Sequence, residues 1–391
     1  MRMEGKNIKV VDPYPVKTIS GNMFRDGKKV SEYVAMTRRW ITENIVPKNN
    51  LADIERVSEY IPAELSPGVG FETRLDTIRG GRNDCFFSIS CSSRDRNKFQ
   101  EFSNPSNLPA VFRKYDEWGK IYKFAKIWAK EEHPVSKEIV GFWLEFDIPL
   151  CGDKPFVPSI FFEPIRITRK EWLADKLYIF KEDIHKDTID NVYKCIQETP
   201  PESSLLALGL MLHRAEDNVR IAIKKFPARY LNQYFKKMNW YPCSREGIKR
   251  FVEISKKLSK LCNRVTLHFA VGSDGISKDI QLEFSFNPNK FHLEEGWKKI
   301  FHILKQEELC HPDKIRDILT FPGIQYTGEK LSATCAGTQC DLYSHLVRYI
   351  SHVKLIHGKE ITTKAYMGIK HYWLPEKRFR NETKNRQGCF T

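Results

Sequence analysis

Hydrophobic and polar residues alternate in several short runs of this chain, and a period of two residues is typical of β-strands. The clearest runs are 264–271 and 279–286, where Leu267 and Phe269 share one face and His268 lies on the other. A short glycine-containing segment joins the two runs, as in a β-hairpin. This part of the chain therefore predicts a hairpin with one apolar face and one polar face.

The same pattern recurs along the chain and predicts four further hairpins. Their arms lie at 70–76 with 85–91, 139–148 with 158–164, 204–212 with 218–225, and 351–357 with 361–373. Helical spacing of apolar residues is found between the hairpins and before the first, over 30–44, 108–130, 170–198, 229–238, 244–262, 292–308, 312–319 and 340–350. The segment between the last two helices reads as an irregular link rich in Gly, Thr and Ser. The predicted order is a pair of strands followed by helix, repeated five times.

About ten antiparallel strands with strict alternation tend to curl or close into a barrel. Helices between the hairpins would cover the apolar strand face from outside, which leaves the polar face to line the inside. We therefore predict an α+β fold, an antiparallel barrel of about ten strands ringed by α-helices. Residues 67–375 would form the barrel, 1–66 a helical extension packed on it, and 376–391 a basic tail. The alternative is an ordinary α+β domain pair with two mixed sheets.

If the barrel closes, the alternation assigns a set of charged and aromatic side chains to its lumen. The predicted cations are Arg74, Arg220, Lys224, Arg264, Lys354, Lys364 and Lys370. The predicted carboxylates are Glu72, Asp76, Glu145, Asp147 and Glu283, joined by His268, Trp143, Tyr366 and Tyr372. Several cations converging in a partly desolvated cavity repel one another unless an anion lies among them, and phosphate groups suit Arg and Lys contacts. For Glu145 and Asp147 a solvated sheet face is an equally ordinary explanation, and for Lys364 and Tyr366 an exposed edge strand is one.

Composition narrows the classes of partner. The chain has 391 residues and a formal net charge of +15, which favours an anionic substrate or partner. It shows no apolar run long enough for a membrane helix and no apolar signal-peptide core, so we expect a cytoplasmic protein without a membrane partner. The ten cysteines form no CxxC pair, which predicts reduced thiols and no metal site built from them.

Familiar catalytic strings are missing. The sequence contains no P-loop, no H-E-x-x-H, no G-x-S-x-G and no G-x-G-x-x-G. The run DIHKDTID at 183–190 is similar to a carboxylate-rich magnesium motif only loosely, and surface charge on a helix explains it better.

Five hairpins separated by helices resemble the prenyltransferase barrel, or ABBA fold, of aromatic and peptide prenyltransferases. Lys364-Ala-Tyr366 followed by Lys370-His-Tyr372 is similar to strand motifs of the dimethylallyl-tryptophan synthase type. The segment 143–147, WLEFD, together with 161–164, FFEP, resembles the family's hairpin that carries a glutamate. The resemblance extends over the strand layout from about residue 70 to 373.

The resemblance implies a role for each matching residue. Glu145 would orient the acceptor nucleophile. The family's diphosphate-binding residues would match Arg220, Lys224, Arg264 and Lys364, and its shielding tyrosines would match Tyr366. The lumen assignment adds Lys354 to the expected diphosphate site and Trp143, His268, Glu283 and Tyr372 to the expected pocket. The chain departs from the family where Ala222 and His268 replace tyrosines. A hairpin also precedes the glutamate-bearing one, an order similar to the cyanobactin-type peptide prenyltransferases.

The expected activity is transfer of a prenyl group from a prenyl diphosphate to an aromatic small molecule or a peptide side chain. Magnesium would be an optional cofactor that enters bound to the diphosphate, and no residue of the chain is assigned as a metal ligand. One alternative is a non-catalytic basic module that binds an acidic peptide or nucleic acid, although nucleic-acid signatures are missing. Another is a different peptide-tailoring enzyme on the same barrel, since a fold does not fix a function.

Overall fold

A computed structural model describes residues 28–77, 81, 83–167, 169–242, 244–287, 294–335 and 338–375. Its eleven described strands are β1 (Gly68–Arg74), β2 (Cys85–Ser90), β3 (Ile139–Phe146), β4 (Ser159–Pro164), β5 (Ser204–Met211), β6 (Val219–Lys224), β7 (Arg264–Gly272), β8 (Gly275–Ser285), β9 (Gly323–Cys335), β10 (Thr338–His357) and β11 (Ile361–Pro375). They form one antiparallel sheet.

Ten of these strands close into a barrel. Neighbouring strands pair in sequence order from β1 to β8, β8 pairs with β10, and β11 pairs with both β10 and β1. The connections from β1 to β2, β3 to β4, β5 to β6, β7 to β8 and β10 to β11 lie at one end, here called the hairpin end, whereas β9 and β10 are joined at the opposite end. The helical connections reach the other end, here called the helix end. The predicted α+β barrel ringed by helices is confirmed.

The apolar face of the strands is the outer face. Phe71, Phe87, Phe142, Phe146 and Phe162 point outward and are almost fully buried. The helices that cover this face, together with those before β1, are α1 (Val30–Thr37), α2 (Lys48–Tyr60), α3 (Ser93–Ser103), α4 (Ala110–Arg113), α5 (Glu117–Ala129), α6 (Pro134–Glu138), α7 (Lys170–Phe180), α8 (Lys186–Gln197), α9 (Leu231–Lys237), α10 (Arg245–Ser259), α11 (Gly296–Gln306) and α12 (Pro312–Thr320). Burial of this apolar layer between sheet and helices supplies the main driving force for folding.

The chain from 320 to 350 differs from its prediction. The helix expected over 340–350 is the first half of β10, and the expected irregular link contains β9. Leu342, Leu346 and Ile350 are buried on one face, while Val347 is buried on the other. Because both faces of β10 are buried here, apolar residues occur on both and hide the alternation, so the run resembles a helix. Strand β9 pairs with β10 beyond the end of β8, so β9, β10 and β11 extend the wall at the helix end.

The described part of the N-terminal extension packs on this prolonged wall. Tyr33 of α1 stacks on His371 of β11 with 5.1 Å between ring centres. Arg348 of β10 lies 3.5 Å from the ring centre of Trp40. Residues 1–27 and the predicted basic tail at 376–391 lie outside the described residues.

Two further features concern the described chain as a whole. The cysteines whose state the structure gives, among them Cys85, Cys195 and Cys310, are free thiols. Across the described ranges, every helix is too short or too polar to cross a bilayer.

Candidate active site

The barrel encloses a cavity of about 400 Å³ that extends from the middle of the lumen to the hairpin end. Its lining includes three groups of side chains: the aromatic Phe86, Trp143, Phe161 and Tyr366, the charged Glu145, Arg214, Glu216, Arg220, Asp279, Glu283 and Lys354, and the histidines His268 and His352. Volumes of this order suit a small-molecule ligand.

One wall of the cavity is aromatic. Phe86 on β2, Trp143 on β3 and Phe161 on β4 line it side by side. Two rings lie flat because the inward position of the neighbouring strand is glycine. A Cβ added at Gly70 would lie 1.9 Å from the ring of Phe86, and one at Gly209 would lie 2.3 Å from the ring of Phe161. These glycines keep the rings against the wall and the lumen open.

The opposite wall, on β7, β8 and β10, carries a carboxylate between two histidines. Nε2 of His268 lies 3.0 Å from a carboxylate oxygen of Glu283, and Nε2 of His352 lies 3.5 Å from the same oxygen. Burial lowers the pKa of His268 to about 4 and that of His352 to about 3, so both imidazoles are neutral at pH 7. Burial alone would raise the pKa of Glu283, but the nearby His352, the hydrogen bond from His268 and the charge of Lys354 lower it, and the carboxylate stays ionised.

Glu72 on β1 is fully engaged by β11. Its two oxygens accept hydrogen bonds of 2.6 Å from Lys364 and from the hydroxyl of Tyr366. The Tyr366 ring is also in contact with its neighbours, because His352 stacks on it at 4.2 Å and the Lys354 ammonium lies 4.5 Å from its centre. Burial of Tyr366, together with the charge of Glu72, raises its pKa well above the ordinary value, so the phenol remains a donor.

Glu145 on β3 borders the same cavity but has no such partner. Among the described residues it makes no hydrogen bond and no ion pair. Burial raises its pKa, and the charges of Arg220 and Lys354 offset that rise only in part. A carboxylate that is poorly stabilised as an anion and faces a cavity is suited to accept a proton.

Two cations of the cavity face Glu145. Within the described ranges Arg220 of β6 makes no hydrogen bond or ion pair. Lys354 of β10 contacts the ring and, at 3.5 Å, the hydroxyl of Tyr366, and it forms no ion pair within the described ranges. Burial lowers the pKa of Lys354, while Glu283 and the other nearby carboxylates act to raise it. Both cations are therefore open to an anionic guest.

At the hairpin end, Asp147, which the alternation assigned to the lumen, is joined by charged groups that the strand pattern did not single out. Asp147 accepts a hydrogen bond of 2.8 Å from Arg214 and lies 3.0 Å from Nε2 of His213. Asp84 lies beside β1, where its backbone carbonyl accepts the amide of Glu72, and its Oδ1 is buried without a hydrogen-bond partner. Burial, followed by the charges of Glu72 and other carboxylates, raises the pKa of Asp84 well above its ordinary value.

The structure brings together a subset of the residues expected in the site. Glu145, Arg220, Lys354, His268, Glu283, Trp143 and Tyr366 line the cavity, and Lys364 is held beside it by Glu72. Lys224 and Arg264 face inward at the helix end, where Lys224 lies 3.1 Å from Glu163 and Arg264 is exposed. Lys370 lies 5.3 Å from the ring of Tyr372 on the part of β11 beyond the cavity lining. Arg74 pairs with Asp76 at the hairpin end.

Several cavity residues were missed from the sequence. His352 lies two residues before Lys354, so alternation along β10 could have found it. Phe86 and Phe161 occupy inward positions that alternation also reaches. Arg214 and Glu216 lie in the connection after β5, where no periodic signal exists.

No cluster of three or more His, Cys, Asp or Glu side chains in the described ranges is arranged to hold a metal ion. The carboxylates of the cavity lie on different walls, Glu145 on β3 and Glu283 on β8.

The comparisons with known proteins bear on the fold. No family model matches the sequence, and no curated protein matches it. Among solved structures, the apo form of the prenyltransferase PriB is 14% identical, with a TM-score of 0.53 over 89% of this chain and 98% of that chain. AnaPT from Neosartorya fischeri is 10% identical over 78% of each chain, with a TM-score of 0.43. The 5-dimethylallyltryptophan synthase from Streptomyces coelicolor is 9% identical over 88% of this chain and 98% of that chain, with a TM-score of 0.45.

At such low identity the likeness to PriB concerns architecture alone. Closure of ten antiparallel strands, helices around the outside and a polar lumen agree with it. The chain therefore has the prenyltransferase-barrel (ABBA) fold that its strand pattern resembled.

Proposed function

We propose that this protein transfers an allylic prenyl group from a prenyl diphosphate to an aromatic or peptide side-chain acceptor inside the barrel. The single observation that carries the proposal is an unpartnered carboxylate, Glu145, that shares an enclosed, partly aromatic cavity with two available cations, Arg220 and Lys354. The likeness of the barrel to PriB, a prenyltransferase, supports the same reading.

Arg220 and Lys354 would bind the diphosphate. An arginine fork and a lysine point charge are both suited to phosphate oxygens, and in a desolvated cavity they stabilise the negative charge that develops on the leaving group. Arg214, which Asp147 holds at the hairpin end, would add a contact at the mouth. Lys364 is already neutralised by Glu72, so its contribution would be indirect. Lys224 and Arg264 would contribute only if the diphosphate reached the helix end.

The aromatic wall would shelter the allylic cation. A π face stabilises a nearby cation by roughly 0.5 to 2 kcal/mol. Trp143, Phe86 and Phe161 border the cavity side by side, whereas Tyr366 is in contact with His352 and Lys354. The sheltering role expected of Tyr366 therefore moves largely to Trp143 and its two neighbours.

The reaction balances with groups on the chain. The C1–O bond of the donor breaks and its electron pair leaves with the diphosphate, while a nucleophilic atom of the acceptor forms the new bond to the prenyl group. The acceptor loses one proton, and Glu145 is placed to take it. Such a base typically contributes about 100-fold or more to the rate.

The direct test incubates the purified protein with dimethylallyl diphosphate and a panel of aromatic amino acids and peptides, with mass spectrometry of the products. We expect one acceptor to gain one dimethylallyl group, and we expect the diphosphate to raise the melting temperature by binding the folded state. The panel is run with and without magnesium, since magnesium that enters with the diphosphate needs no site on the protein. Neither transfer nor a thermal shift across the panel would contradict the proposal.

A non-catalytic basic module remains the alternative from another class. It predicts nucleic-acid or acidic-peptide binding that weakens steeply with salt. The cavity does not favour it, because carboxylates such as Glu145 and Glu283 lie among the lumen cations.

A further inference from the structure

The cavity is more acidic than the chain around it. Its described lining contains four carboxylates and three cations, although the whole chain has a net charge of +15. The carboxylates are Glu145, Glu216, Asp279 and Glu283, and the cations are Arg214, Arg220 and Lys354. Arg214 is already bound to Asp147 at 2.8 Å, so fewer cations are available than the count suggests.

A carboxylate and a buried histidine nitrogen in this cavity lack hydrogen-bond partners among the described residues. Glu145 has no hydrogen bond or ion pair among the described residues. Nε2 of His352 is buried without a hydrogen-bond partner and lies 3.5 Å from the carboxylate of Glu283. The other ring nitrogen of His352 is 3.1 Å from Oγ of Ser351. A neutral ring with its proton on Nε2 directs that N–H toward the carboxylate of Glu283, and the Ser351 hydroxyl then donates to Nδ1. Glu145 and the second oxygen of Glu283 are the acceptors that a guest rich in N–H donors would satisfy.

The negative charge of a bound prenyl diphosphate also favours an acceptor rich in N–H groups. A diphosphate carries more negative charge than two side-chain cations supply. Arg220 and Lys354 are the available cations of the described cavity, and Glu283 already adds a negative charge beside Lys354. A positively charged acceptor would restore the balance in a site where uncompensated charge is costly.

We propose that the acceptor is a cationic nitrogen group, a guanidinium or an amine on a side chain, held at Glu145 and near Glu283, and that it is prenylated on nitrogen. This inference rests on the proposed function. The nitrogen gives one proton to Glu145, and its lone pair forms a C–N bond to C1 of the prenyl group. The C1–O bond breaks and its electron pair leaves with the diphosphate. The exposed Glu216 and Asp279 at the mouth attract such a cation toward the lumen.

The test uses the full-length protein saturated with dimethylallyl thiolodiphosphate, an analogue of the donor. Binding of N-acetyl-arginine amide, N-acetyl-lysine amide, N-acetyl-citrulline amide and N-acetyl-tryptophan amide is measured by calorimetry. Citrulline has nearly the shape of arginine but no charge. We expect the better of the two cationic probes to bind at least about tenfold more tightly than citrulline, as for a hydrogen-bonded charge pair.

Matched variants locate the contact. Glu145→Gln keeps the shape and removes the charge, and we expect it to weaken binding of the cationic probe by about tenfold or more while tryptophan binding changes little. Glu163→Gln makes the same exchange at an inward strand position at the helix end, outside the cavity, and should leave cationic binding unchanged. Melting temperatures of both variants verify that each is folded.

The two proposals fail in different ways. If tryptophan is prenylated while the cationic probes bind no better than citrulline, the cationic acceptor is wrong and the prenyltransferase stands. If a cationic probe binds with dependence on Glu145 but no acceptor is ever prenylated, the cationic site stands and the prenyltransferase fails. Equal loss of cationic binding in Glu145→Gln and Glu163→Gln would overturn the placement at Glu145.

Discussion

Two glutamates face the lumen from different parts of the barrel, and their surroundings differ. Glu72 is only 1% exposed and accepts hydrogen bonds from Lys364 and Tyr366. Glu145 lies at the cavity and has no hydrogen bond or ion pair among the described residues. The same residue type on the same face of the sheet thus holds two strands together in one region and is left available in the other.

The difference shows that one region of the charged lumen stabilises the fold while another is left available to a ligand. In the Glu72 region the buried carboxylate of Glu72 has the ammonium of Lys364 as its counter-charge, which is the condition under which buried ions are tolerated. In the Glu145 region the carboxylate is stabilised poorly and its pKa is raised by burial. Groups kept in such a state are commonly found where a protein acts on a ligand.

The largest expected effect is the loss of activity in Glu145→Gln. Without the carboxylate the acceptor is neither held nor deprotonated, so we expect the rate of transfer to fall about 100-fold or more. Because Glu145 has a raised pKa when folded, the stability it provides is present below its unfolded pKa and is lost as pH rises through the folded value. At pH 8 the variant should therefore melt at the same temperature as the wild type or higher. A marked drop in melting temperature would mean that Glu145 is a structural group.

For Glu72→Gln we expect a loss of stability. Removal of one partner from a buried charge pair leaves Lys364 uncompensated and costs about 3 kcal/mol. Chemical denaturation should report this loss of unfolding free energy. Unchanged stability would show that the hydrogen bonds from Lys364 and Tyr366 do not tie β11 to β1.

A smaller effect is expected in the dependence of the transfer rate on pH. If Glu145 must be ionised to take the proton, activity falls as pH drops through its folded pKa, which is raised above the ordinary 4.5. The acid limb of the pH–rate profile should therefore have its midpoint above that value. A midpoint at or below 4.5 would contradict the assignment, provided that circular dichroism shows the protein to be folded there.

The smallest effect is expected at the helix end. Arg264 is exposed and Lys224 is paired with Glu163, so neither lines the cavity. Arg264→Gln and Lys224→Gln should each change the rate of transfer by less than about threefold. A loss as large as that of Arg220→Gln would place the diphosphate at the helix end and overturn the position proposed for it.

Most of the architecture could be read from the chain because it depends on alternation. Period-two runs, together with the apolar run at 204–212, predicted the ten barrel strands, and alternation assigned Glu145, Arg220 and Lys354 to the inner face. Alternation does not indicate where a residue lies along the barrel axis, between the hairpin end and the helix end. Lys224 follows Arg220 by four residues on the same face, about 13 Å further along the strand. That distance separates the cavity from the helix end.

Other features depend on contacts between distant parts of the chain. The pairing of Glu72 with Lys364 joins residues almost 300 positions apart and is set by the register of β1 on β11. The first half of β10 is buried on both faces, which removed the alternation and gave a false helix. Arg214 reaches the mouth from a connection, where backbone shape rather than period places the side chain.

The central claim is that a prenyl diphosphate binds in the lumen between Arg220 and Lys354. Calorimetric titration of dimethylallyl thiolodiphosphate into the wild type, Arg220→Gln and Arg264→Gln tests it most directly. The account predicts saturable binding by the wild type, about tenfold or greater weakening in Arg220→Gln, and no change in Arg264→Gln. Equal affinity of the wild type and Arg220→Gln for the diphosphate would contradict it.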